Sequence, residues 1–104
     1  MTGDRFGNIT GSTIVNRSKL TNAMNVVGQR ADEGTAAALK EIADFIQRSG
    51  NTAAAENFDA FNEELQRPEP RKSLLRSLWN GVVEALPSVA SLAGAAAKIA
   101  AIFS

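Results

Sequence analysis

A mainly α fold, with about four helices in a bundle behind a short β segment, is predicted by three features of this 104-residue sequence. Apolar side chains recur at helical spacing through residues 32–67 and 71–103. Residues 4–28 are instead rich in Gly, Asn, Thr and Ser, with β-branched residues among them. Pro68-Glu69-Pro70 divides the helical part, because proline lacks an amide hydrogen and restricts the residue before it. The predicted organisation is a β-rich assembly segment over 1–31 and a helical bundle over 32–104, with a proline-containing linker at 68–70.

The opening segment has two readings. Ile14, Leu20 and Val26 fall six residues apart, each followed by short polar residues, which is the period of hexapeptide β-helix coils. So few coils cannot stand alone, so several chains would have to contribute one each. The other reading is a β-hairpin, with strands near 6–10 and 13–15, a turn at Gly11-Ser12, and a helix from Ser18 onward. The sequence leaves residues 16–30 open between strand and helix.

The first predicted helix places Leu39, Ile42, Phe45 and Ile46 on one face, with Asp32 or Thr35 as its cap and Gly50 as a left-handed stop. The second starts at Asn51 or Thr52 and buries Ala54, Phe58, Phe61 and Leu65. The third runs from about Ser73 to Leu86, with Leu75, Leu78, Val82 and Leu86 as its stripe, broadened by Leu74 and Trp79. Val89, Leu92, Ala96, Ile99 and Phe103 mark the fourth, among many alanines, with a break at Pro87.

The composition narrows the chemistry. There is no cysteine and no histidine, which removes disulfides, thiolate or imidazole metal sites, and Ser-His-Asp or Cys-His catalysis. The acids Glu56, Asp59, Glu63 and Glu64 could line one helix surface, but they read as solvated residues of a polar face. Residues Gly7 to Ser12 are glycine-rich without the Gly-Lys-Ser/Thr ending of a phosphate loop. No catalytic, cofactor-binding or metal-ligating residue is therefore assigned, and no cofactor is expected.

Charge is unevenly spread. Residues 1–31 hold four bases against one acid, 32–67 hold eight acids against three bases, and 68–104 hold four bases against two acids. Three scattered positive charges do not make the clustered basic face of a nucleic-acid binder. The N-terminal ten residues lack the apolar core of a signal peptide, so a cytoplasmic protein is expected. Val82 to Phe103 is long and apolar enough to raise a membrane reading, but Glu84, Pro87 and Lys98 interrupt it and alanine contributes little to partitioning. A buried or partner-facing helix is the expectation. Trp79 reads as a core anchor, with a partner-facing role as the alternative.

The run Gly7-Asn8-Ile9-Thr10-Gly11-Ser12-Thr13-Ile14-Val15 ahead of a helical module, with the later Leu78-Trp79-Asn80-Gly81 and Leu86-Pro87-Ser88-Val89, resembles small bacterial conflict-system or effector-associated proteins. The resemblance implies a scaffold or adaptor in bacterial defence, antiviral defence included, or signalling, and it transfers no functional residue. The functional expectation is a non-enzymatic, self-assembling scaffold or adaptor, most simply a homo-oligomer that can also take a protein partner. A membrane-active effector using the last helix is the rival. Ile9, Ile14, Leu20 and Val26 are the expected assembly residues, with Trp79, Leu92, Ile99 and Phe103 as further interaction candidates.

Overall fold

The computed structural model describes residues 13–104, which form five α-helices and one 3-10 turn; no strand occurs among these residues. The predicted strand near 6–10 lies outside the described residues, and 13–15 are not a strand.

Helix α1, Arg17–Arg30, replaces the six-residue coil reading. Asn16 is extended, and its Oδ1 accepts the Lys19 amide at 2.9 Å, which fixes the first turn. Leu20, Ala23 and Val27 then fall three and four apart on one buried stripe. Six residues of helix turn through about 600°, so Leu20 and Val26 cannot share a face. Leu20 is buried, whereas Val26 sits half-buried on a flank.

Helix α2, Glu33–Ser49, begins at Asp32, whose Oδ1 accepts both the Thr35 amide at 2.6 Å and the Thr35 hydroxyl at 2.9 Å. These two hydrogen bonds hold the Asp32 carboxyl below its ordinary range, with Lys98 adding a smaller attraction. The helix ends at Gly50, which takes φ 72° and donates its amide to the Ile46 carbonyl at 3.2 Å. A side chain at this φ would be strained, so glycine is the fitting stop.

Helix α3, Thr52–Leu65, is capped by Asn51, whose Oδ1 accepts the Ala54 amide at 2.9 Å while its Nδ2 donates to the Ala85 carbonyl at 2.7 Å. One side chain thus starts α3 and closes the end of α4, Lys72–Ala85. The chain breaks after Ala85 as expected, passes through a 3-10 turn at Pro87–Ser91, and resumes as α5, Ala93–Ile102.

Helix α2 is the hub of the bundle: α1, α3, α5 and the 3-10 turn all rest on it, while α3 packs along both α1 and α4. Phe61 is the centre of the aromatic core. Its ring lies 6.4 Å from Phe58, 6.3 Å from Trp79 and 6.2 Å from Phe103, the last edge-on. Ile42, Ile46, Leu75, Val82, Val89 and Ile99 close the core around it. Beside Phe61, Asn62 is fully buried and neither polar atom of its amide has a partner among the protein atoms. An unpaired buried amide of this kind costs about 1–3 kcal/mol, so this position stands against the stability of the surrounding core.

Candidate interaction site

Two places on the bundle gather side chains into an arrangement with consequences beyond packing. The first is the root of the opening segment. The amides of Ile14 and Val15 both donate to Gln47 Oε1 on α2, at 2.9 and 3.2 Å, and the Asn16 amide donates to Asp59 Oδ1 on α3 at 2.9 Å. Val15 between them is completely buried. Arg17 adds a 3.3 Å ion pair to Asp44, which also meets Lys40 at 2.8 Å. The Lys40 hydrogen bond and then the Arg17 one hold the Asp44 carboxyl below its ordinary range. Exposed pairs of this sort contribute little to stability; the buried valine and the three amide bonds do the fastening.

The acids of α3 do not form one site. Asp59 is taken by Asn16, Glu63 lies 3.8 Å from Lys19, and Glu56 is exposed. Glu64 departs from the solvated role expected of it, since its side chain is only 5 % exposed. Its Oε2 accepts the Arg71 backbone amide at 2.8 Å and Arg71 Nε at 3.2 Å, while Oε1 accepts Arg71 Nη2 at 3.1 Å. Arg67 stands 3.6 Å away. The carboxylate therefore clamps both ends of the proline linker between α3 and α4. No group of three or more acidic side chains among the described residues is arranged to hold a metal ion.

The Arg71 hydrogen bonds, side chain first and backbone second, hold the Glu64 carboxyl below its ordinary 4.5. A carboxyl depressed in the folded state stabilises the fold above its unfolded value, and that contribution is lost as pH falls through it. Glu64→Gln is therefore expected to lower the urea midpoint at neutral pH, with the gap to wild type closing below about pH 4. Urea melts of both proteins across that range test this; a gap constant with pH would contradict it.

The second place is a half-open groove of about 310 Å³ at the end of the bundle where α1, α4 and α5 meet. Its apolar lining comes from Val26, Val27 and Ala31 at the end of α1, Leu75 on α4, Ala101 and Ile102 on α5, and Leu65 with Pro70. The remaining lining residues are Arg30 and Lys72. Arg30 helps build the groove by donating from Nη1 to the carbonyls of Leu65 at 3.4 Å and Arg67 at 3.0 Å, which ties α1 to the end of α3. Arg76 ties α4 to the end of α5, donating to the Phe103 carbonyl at 3.1 Å with its guanidinium 5.8 Å from the Phe103 ring centre.

The interaction candidates named from sequence are dispersed. Ile9 lies outside the described residues. Leu20, Trp79, Ile99 and Phe103 are spent on the chain's own core. The partner-facing alternative for Trp79 thus gives way to core packing, because Phe61 lies against its ring. Ile14 is half-buried at the root, Leu92 is half-buried at a shallow hollow between α2 and α5, and Val26 lines the groove. The six-residue spacing that singled out Val26 has no part in this placement. Arg30 and Lys72 carried no sequence signal, since residues 42 positions apart meet only through the fold. Comparison with family models, curated proteins and solved structures finds no match to this chain.

Proposed function

We propose that the chain is a non-enzymatic assembly module, a scaffold or adaptor whose N-terminal segment, fastened to the helical bundle through residues 14–16, joins several copies. The observation that carries this reading is the root: a buried valine and three amide hydrogen bonds fasten residues 14–16 across α2 and α3. A contact made by residues just before such a root transmits its orientation to the whole bundle, whereas a freely jointed one would not. The pairs of Glu64 with Arg71 and of Asp44 with Arg17 fasten elements together.

A bacterial defence or signalling setting is proposed from the resemblance of the opening run and the helical part alone. The rival membrane-active reading has less support. Among the described residues no helix is long and apolar enough to cross a membrane, and α5 already buries Ala95 and Ile99 within the chain. Light scattering tests the assembly reading. Wild type is expected to be oligomeric, and Ile9→Asp to be monomeric with unchanged helicity, because a carboxylate is costly to bury unpaired in a contact between chains. A monomeric wild type, or an equal mass for both, would count against it.

A further inference from the structure

The groove between α1, α4 and α5 has a lining unlike the rest of the surface. Eight of its ten residues are apolar, the other two are Arg30 and Lys72, and no carboxylate lines it. Elsewhere Arg17, Lys19, Lys40, Arg67 and Arg71 each meet an acid, whereas Arg48, Arg76 and Lys98 stand in no ion pair among the described residues. Lys72 likewise meets no acid among the described residues. Among the described residues Arg30 uses Nη1 alone, for two carbonyls, which leaves Nη2 and Nε to donate to a further acceptor. The site is thus an apolar hollow with an uncompensated positive rim.

Its size limits the occupant. About 310 Å³ is at the lower end of the range for small-molecule sites. A helix docked by anchors at i, i+3 or i+4 and i+7 requires a longer trough. Apolar walls favour an alkyl chain, and two cations beside them favour a carboxylate, which accepts charge-assisted hydrogen bonds from both. We propose that this groove binds a single-chain carboxylate amphiphile, a free fatty acid of medium length. Its chain runs between Val26 and Ile102, and its head group lies at Arg30 and Lys72. This binding goes beyond the assembly reading and stands independently of it.

Methyl NMR of the full chain, titrated with dodecanoate below its micelle-forming concentration, tests the proposal. Saturable shifts are expected at Val26, Val27, Leu75 and Ile102, with the methyls of Ile42 and Ile46 unmoved. Dodecyltrimethylammonium, with the same chain and the opposite charge, is expected to bind at least about tenfold more weakly. Lys72→Gln, a change at an exposed position that leaves the core untouched, is expected to weaken dodecanoate by about tenfold, the loss expected for one charge-assisted hydrogen bond. Vesicles containing phosphatidylglycerol are expected not to shift the groove methyls, because a diacyl lipid exceeds the hollow. Equal affinity for the two amphiphiles, no effect of Lys72→Gln, shifts centred elsewhere, or a groove response to the vesicles would each overturn the assignment.

Discussion

Phe61→Ala is expected to cost the bundle a large share of its stability, lowering its urea midpoint by about 2 M or more. Removing a buried phenylalanine from a packed core costs about 3–5 kcal/mol, and Phe61 is fully buried in contact with three other aromatic rings. A chain of this size has about 5–10 kcal/mol to lose. The loss also cuts several elements apart at once: Phe58 and Phe61 belong to α3, Trp79 to α4, and Phe103 follows α5. Urea unfolding followed by circular dichroism is the measurement. A midpoint within a few tenths molar of wild type would mean that the aromatic centre does not hold the bundle together.

Leu20→Asp is expected to have an effect nearly as large, and its form separates the two readings of the opening segment. In a β core shared between chains, a carboxylate at this position would dissociate the assembly and leave the helices intact. In the structure Leu20 is 3 % exposed and belongs to the single core of the chain. The substitution removes about 2–5 kcal/mol of apolar packing and forces a carboxylate either to ionise without a partner or to take up a proton. Helicity and stability should therefore fall together. Retained helicity with loss of mass alone would return residue 20 to an interface between chains.

How far the fold could be read from the sequence depended on whether local chemistry and tertiary burial agree. In α2 and α3 they do: Asp32 and Asn51 cap, Gly50 stops, and Leu39, Ile42, Ile46, Phe58, Phe61 and Leu65 recur at the helical period. The Pro87 break was legible for the same reason. In α1 they conflict. Thr21, Asn22, Asn25, Val26 and Val27 are indifferent or poor helix formers, and the helix is secured by the Asn16 cap and by Leu20, Ala23 and Val27 packing onto its neighbours. Propensity yielded to burial there. Glu64 was misplaced because the stripe it shares with other acids looks solvated until the proline linker folds Arg71 back onto it. The groove was not legible, since its lining comes from every helix but α2 and from the proline linker, at separations that only the finished fold brings together.

Under the proposed function, the N-terminal segment joins copies of the chain from a root fixed on the bundle. Light scattering of the full chain beside a chain starting at Thr13, with circular dichroism on both, tests it most directly. The shorter chain keeps Val15, Gln47 and Asp59, and with them the root and the core. An oligomeric full chain and a monomeric shorter one with the same helical signal per molecule are expected. An equal oligomer from both would place the assembly surface on the bundle, and a monomeric full chain would remove the assembly function.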